Sequence, residues 1–188
     1  MVLMTERIAV FSDTHGNSRD IRDAVRHNGP FNMLVHLGDG VGDGESVAAE
    51  AGIVFRGVGG NEDHFRLMTM PAEDVFRVGP WTFFAVHGHQ MEINPYHPES
   101  LWNRHLKEMA LWARRKGAHI FLFGHTHKPM LRKEDGIFIC NPGDQYPGSQ
   151  TPPSFAVIEV GDSGLEIRIL RKEKDWVTAH SVRSLDDG

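Results

Sequence analysis

The sequence predicts an α/β fold with two packed sheets. In the first half, short apolar runs alternate with helix-like stretches, which suggests a parallel βαβαβ layer. In the second half, paired runs meet at turn residues, which suggests hairpins. The composition is 40% hydrophobic and 24% charged over 188 residues, close to a globular average. A chain of this length buries roughly 70% of its unfolded surface. Residues 1–188 are therefore expected to form one domain, with the last dozen residues as a loose tail.

Each element has its own signal. Ile8 to Ser12 is a buried strand, and Asn17 or Ser18 caps a helix to about His27, stopped by Gly29-Pro30. Met33 to Leu37 is the next strand, Glu45 to Ala51 a short helix ended by Gly52, and Ile53 to Val58 a third strand. Asp74–Val78 and Trp81–Val86 flank Gly79-Pro80 as a hairpin. A long helix runs from about Glu99 to Lys116, closed by Gly117. Its residues Trp102, Leu106, Met109 and Ala113 share one apolar face. Ile120–Phe123 is another buried strand. Leu131–Cys140 turns at Asp135-Gly136, and Phe155–Leu170 turns at Asp162-Ser163-Gly164, both read as antiparallel additions.

Charge and cysteine usage exclude several classes. The net charge of -5 offers no broad basic field, so nucleic acid is not an expected partner. No run of 18 apolar residues occurs, so no membrane span is expected. The first residues lack a signal-peptide pattern, and the single Cys140 has no partner in the chain. Both point to a reducing cytoplasm.

Twelve histidines are the compositional outlier. Five apolar runs end in metal-capable side chains: Asp13 and His15, Asp39, Asn61 with Glu62 and Asp63, His87 with His89, and His125 with His127. In α/β folds ligands bind outside the carboxyl ends of strands, so five loops can converge on one site. Alone, each has an ordinary reading: Asp13 as a cap, Gly38-Asp39-Gly40 as a turn, Asn61 as a left-handed turn residue, the histidines as loop residues. The ordered set favours a site. Residues two apart in extended chain point the same way, which aims each His-x-His pair together. Mixed carboxylate, imidazole and amide donors suit Mn²⁺, Fe²⁺, Co²⁺, Ni²⁺ or Zn²⁺, with Mn²⁺ first among them. Asp13, His15, Asp39, Asn61, His87, His125 and His127 are too many for one ion and suit two. Asp39, alone on its loop, is the expected bridge. His27, His36, His105, His119 and His180 are read as surface or helix residues, and His64 and His97 are left open.

In this order, Asp13-x-His15, Gly38-Asp39, Gly60-Asn61, His87-Gly-His89 and Gly124-His125-x-His127 resemble the calcineurin-like metallophosphoesterase superfamily. The Asp-Thr-His-Gly-Asn opening and Asn141-Pro142-Gly143 are similar to its small prokaryotic phosphodiesterase branch (YfcE-like). The resemblance implies a four-layer α/β/β/α sandwich. It places one ion on Asp13, His15 and His127 and the other on Asn61, His87 and His125, with Asp39 bridging. It implies hydrolysis of small phosphodiesters or nucleotides by a hydroxide shared between two divalent ions. The alternatives are a phosphomonoesterase, a nuclease, or a protein-binding scaffold like the retromer subunit of this fold. Members are often dimers or larger, so a homo-oligomer is a further expectation. Asp39 and Asn61 are the expected catalytic groups, with His89 as a substrate contact. Asp63 is expected to orient a ligand and not to react, as carboxylates commonly do for metal-bound histidines. The sequence departs from the family twice. Glu62 stands where an acid catalyst, usually His, or a Cys is found, and could donate a proton only with a raised pKa. Asp144 replaces the Ser after Asn-Pro-Gly and is expected to alter the site rim.

Overall fold

The computed structural model describes residues 5–64, 70–162 and 164–184. In chain order the elements are β1 (Glu6–Phe11), α1 (Ser18–Asn28), β2 (Met33–His36), α2 (Val41–Ala51), β3 (Val54–Gly57), β4 (Glu73–Val78), β5 (Trp81–Val86) and α3 (Glu99–Arg115). There follow β6 (Ile120–Leu122), β7 (Met130–Glu134), β8 (Ile137–Asn141), β9 (Ser154–Gly161), β10 (Gly164–Lys172) and β11 (Trp176–Arg183). One sheet has the order β11-β10-β9-β1-β2-β3 and the other β4-β5-β6-β8-β7.

Strand alternation builds the layers. Ile8 and Val10 of β1, Phe83 and Ala85 of β5 and Ile120 and Leu122 of β6 fill the core between the sheets. Their neighbours Ala9 and Phe11 turn outward under α1 and α2. Phe84, Val86 and Phe121 turn outward under Leu106, Met109 and Ala113 of α3. The result is the four-layer α/β/β/α sandwich. Every strand buried on both faces reads as a continuous apolar run, which is why these elements were visible in the sequence.

Three features depart from the sequence reading. The expected loose tail contains β11, which pairs with β10 along Glu166–Lys172; residues 185–188 lie outside the described residues. Most of β11 is exposed, so it carries no apolar alternation, and its backbone ladder defines it. Helix α2 starts at Val41, not Glu45. Its left-handed N-cap Gly40 has no capping side chain, and Asp63 supplies the missing acceptor by taking the Gly40 and Val41 N–H groups at 2.9 and 3.3 Å. A cap from 22 residues away leaves no local signal. Third, β8 pairs parallel to β6 as well as antiparallel to β7. It therefore points its C-terminal end toward the same edge as β1, β2, β3, β5 and β6.

His36 is not a surface residue but fully buried at the end of β2. Its Nδ1 accepts the Gly38 N–H at 3.1 Å, so Nε2–H faces the Thr14 hydroxyl at 3.0 Å. Thr14 in turn donates to Asp43 Oδ2 at 2.6 Å, and the Gly16 N–H donates to the same oxygen at 2.8 Å. This chain of bonds fixes the loop after β1. Desolvation lowers the His36 pKa to about 4. The unfolded chain takes up this proton below about 6.5 while the folded chain refuses it, so stability falls as pH drops from about 6.5 to 4. We expect His36→Gln to remove a loss of about 3 kcal/mol over that window. Urea unfolding of both chains at pH 7 and pH 4.5 measures the difference.

Candidate metal centre

The candidate residues sit where the strands of both sheets end. Asp13 and His15 follow β1, Asp39 follows β2, Asn61 and Glu62 follow β3, His87 and His89 follow β5, and His125 and His127 follow β6. Six non-glycine residues among those described have positive φ, and five of them are Asp13, His15, Asp39, His125 and His127, at 46 to 67°. Left-handed backbone at such residues costs on the order of 1–3 kcal/mol each and concentrates at functional sites. It also changes the geometry argued from the sequence. The His-x-His pairs are not aimed by an extended pleat, because Gly88 has φ 119° and His125 and His127 are themselves left-handed. Tight turns aim them instead.

Asp13 is the centre of the arrangement. It is fully buried. Its Oδ2 accepts from the Ser12 hydroxyl at 2.5 Å and the His125 N–H at 2.9 Å. Its Oδ1 has no hydrogen-bond partner. Around that oxygen stand His127 Nε2 at 3.3 Å, His87 Nε2 at 3.9 Å and His15 Nε2 at 4.0 Å. Each imidazole is turned this way by an acceptor at its Nδ1: Asp144 Oδ2 at 2.8 Å for His127, the Leu37 carbonyl at 2.7 Å for His87 and Glu62 Oε2 at 3.1 Å for His15. Asp39 Oδ2 lies 3.3 Å and Asn61 Oδ1 3.1 Å from His87 Nε2. His125 and His89 stand beside this set, with rings 5.2 and 5.5 Å from that of His87.

These lone pairs face one another, and only a proton or a cation between them removes the repulsion. His15 Nε2 is a second buried atom without a partner. Asp13, His15 and His127 bring donor atoms within 4.8 Å of one another, as do Asp13, Asp39 and His87, and also His15, Asp39 and Glu62. The donor set thus fits divalent cations of the borderline class. The protonated cluster shows the same pull. Asp13 and Asp144 on either side raise His127 to about 10. For Asp39, burial opposes ionisation, but His87 and the Glu62 N–H outweigh it and lower the carboxyl to about 2. For His87, burial works against the charge, yet Asp39 and Asp13 raise its pKa. Burial lowers His89 and His125, which are also repelled by His87.

Close backbone approach is part of the build. A Cβ on Gly60 would lie 2.1 Å from Asp39 Oδ1, and one on Gly124 would lie 1.9 Å from Ser12 Oγ. Only glycine lets the third and sixth strand ends reach the aspartates.

Two roles are sharper than the sequence reading. Asp63 positions a candidate ligand, Asp39, through its backbone and not a histidine through its ring. Its carboxylate accepts the N–H groups of Asp39 at 2.7 Å and Gly60 at 2.9 Å, besides those of α2, and so ties the second loop to the third. The residue that orients a histidine is Asp144, 1% exposed and delivered by β8. Tyr146 was not singled out at all. Its ring lies 4.9 Å from His15 and 5.8 Å from His127. Reading β8 as a plain hairpin arm hid Tyr146 and left Asp144 on the rim, since only a strand parallel to β6 brings its following loop to this edge. His64 is exposed. His97 and the buried His105 pair with each other at 3.0 Å, beneath the loop before α3.

A carboxylate–imidazole cluster at the strand ends of a four-layer sandwich has the donor set of a divalent-metal centre. Residues 7–163 match the calcineurin-like phosphoesterase superfamily domain, and the chain belongs to that superfamily. It is therefore a metallophosphoesterase, a hydrolase of phosphoric esters dependent on divalent metal ions. A probable metallophosphoesterase of Methanothermobacter thermautotrophicus is 26% identical over 170 residues, covering 87% of this chain and 91% of that one. The crystal structure of a Streptococcus pneumoniae protein, described as a predicted phosphoesterase, superposes with a TM-score of 0.71 at 26% identity, covering 96% and 97% of the two chains. Vps29 of Entamoeba histolytica in complex with zinc gives 0.73 at 20% identity, covering 94% and 98%. An archaeal phosphodiesterase gives 0.58 at 20% identity, covering 82% and 99%. The last two share the fold.

Carboxylates that orient metal-bound imidazoles are typically worth 10- to 100-fold in affinity. Asp144→Asn is expected to weaken Mn²⁺ binding by about that factor while the far-ultraviolet circular dichroism stays that of the parent. Calorimetric titration of metal-stripped protein reads the change, and an unaltered affinity would remove the assigned role.

Proposed function

We propose that this chain hydrolyses small phosphodiesters or nucleotides at a centre of two divalent ions, with Mn²⁺ the first ion to test. The observation that carries the reading is the ring of three imidazole Nε2 atoms about the unpartnered Asp13 oxygen. One ion would be held by Asp13, His15 and His127 and the other by Asn61, His87 and His125, with Asp39 between them. Ions held by these residues would supply Lewis acidity toward a phosphoryl oxygen and would lower the pKa of water at the site toward 7.

The chain's own residues set what can bind. Asp13 and Asp39 leave two ions and a hydroxide with about one positive charge, enough for a diester monoanion. Glu62, 3.1 Å from His15 Nδ1, and Asp144, 2.8 Å from His127 Nδ1, add two carboxylates behind the ligand histidines and reduce the positive charge that faces a substrate. That penalises a dianionic monoester more than a diester. The pairing with His15 supports an orienting role for Glu62 over proton donation. A diester with a good leaving group needs no general acid, which fits a site lacking a histidine at position 62. The superposed archaeal phosphodiesterase points the same way. Left-handed backbone at five candidate ligands is a cost that a protein-binding scaffold has no use for, so the enzyme reading is preferred.

Turnover of bis(p-nitrophenyl) phosphate by metal-stripped protein should be absent and return with Mn²⁺. Asp39→Asn should lower it more than about a hundredfold. Near-parental turnover by that variant would refute the bridging assignment. Glu62→Gln should raise the rate on p-nitrophenyl phosphate relative to the diester. A fall in both rates with loss of the alkaline limb of the pH profile would instead restore Glu62 as proton donor.

A further inference from the structure

The metal-facing groups account for the phosphoryl end of a substrate and leave open what surrounds the rest of it. A cavity of about 300 Å³ is lined by His15, Asp39, Asn61, Glu62, His125, His127 and one aromatic, Tyr146. Every other lining residue is polar or charged. Tyr146 is 44% exposed. Exposed tyrosines are common, and the way this one is held is what sets it apart.

The backbone on which Tyr146 rides is fastened from several sides. The Gln145 N–H donates to the Asp13 carbonyl at 3.2 Å, and the Asn17 amide donates to the Gln145 carbonyl at 2.8 Å. The Ser149 N–H closes a turn on the Tyr146 carbonyl at 3.0 Å. Asp144 and Gln145 are each 1% exposed. Gly148 lies under the ring, and a Cβ there would come within 2.7 Å of ring carbons. The imidazoles of His15 and His127 meet the ring at 62° and 84°. The phenol ring is thus backed by its own turn, stands beside two imidazoles and lines the cavity with part of its surface exposed. An aromatic fixed before binding loses little freedom when a second ring settles on it.

We propose that Tyr146 is a stacking platform for a planar ring carried by the substrate, so that the ester is a nucleotide or an aryl phosphodiester and not a purely aliphatic one. The inference rests on the phosphodiesterase reading of the same centre. Stacking on an aromatic side chain tolerates any flat ring, and nucleobases and simple aryl groups share that chemistry.

The test is calorimetric binding of three monoesters of equal charge to the Mn²⁺-loaded protein: adenosine 5′-monophosphate, phenyl phosphate and ribose 5-phosphate. At least one ring-bearing ligand should bind about tenfold more tightly than ribose 5-phosphate. The tighter of the two identifies a base or a simple aryl group as the source. Tyr146→Ala should abolish that preference with metal stoichiometry unchanged, and Tyr146→Phe should keep it. Equal binding of all three by the parent overturns the proposal. So does a Tyr146→Ala variant that weakens all three alike or loses metal, because the ring would then be only a wall for His15 and His127. The readout needs no turnover. A protein that prefers ring phosphates but hydrolyses no diester retires the catalytic reading alone, and one that hydrolyses diesters without the preference retires this inference alone.

Discussion

A buried carboxylate oxygen with no donor, faced by three imidazole nitrogens, is the constraint on which the centre depends. Leaving such an atom unpaired costs several kcal/mol in a dry interior. Asp13 Oδ1 has no hydrogen-bond partner, and the surrounding Nε2 atoms stand 3.3 to 4.0 Å away. That spacing suits a shared cation better than direct hydrogen bonds. Much of the nearby structure keeps this geometry in place. Ser12 and the His125 N–H occupy the other Asp13 oxygen, and Asp144, Glu62 and the Leu37 carbonyl hold the outer nitrogens.

The strain at the ligand loops follows from the same demand. A strand leaves a sheet along its own axis, whereas the donors must turn inward within one or two residues. Left-handed conformations at Asp13, His15, Asp39, His125 and His127 make that turn in the least chain length. The hydrogen bond that Thr14 donates to Asp43 and those that Asp63 accepts from two loops are what keep the turns from relaxing.

Most of the framework was legible in the sequence because burial on both faces leaves uninterrupted apolar runs, as at Ile120–Phe123, and because Asn17 is a local helix start and Gly29 and Gly52 are local stops. The donors were legible because they follow those runs directly. What escaped depended on contacts between distant segments. The start of α2 relies on Asp63, the last strand on its ladder with β10, and the burial of His36 on Thr14 and the Gly38 N–H. The role of Asp144 and the position of Tyr146 escaped for a topological reason. Nothing in residues 130–141 says that the second arm of the hairpin inserts beside β6, and that insertion decides where the following loop arrives.

The segment 142–153 leaves β8 in one sheet and enters β9 in the other, and each tight group built on Asp13 likewise draws members from both sheets. Ions seated there would rivet the two halves of the sandwich across their seam. Loading would therefore act on the mechanical union of the sheets as well as on chemistry, and any slip of one layer over the other would be felt first at the phosphate-binding end.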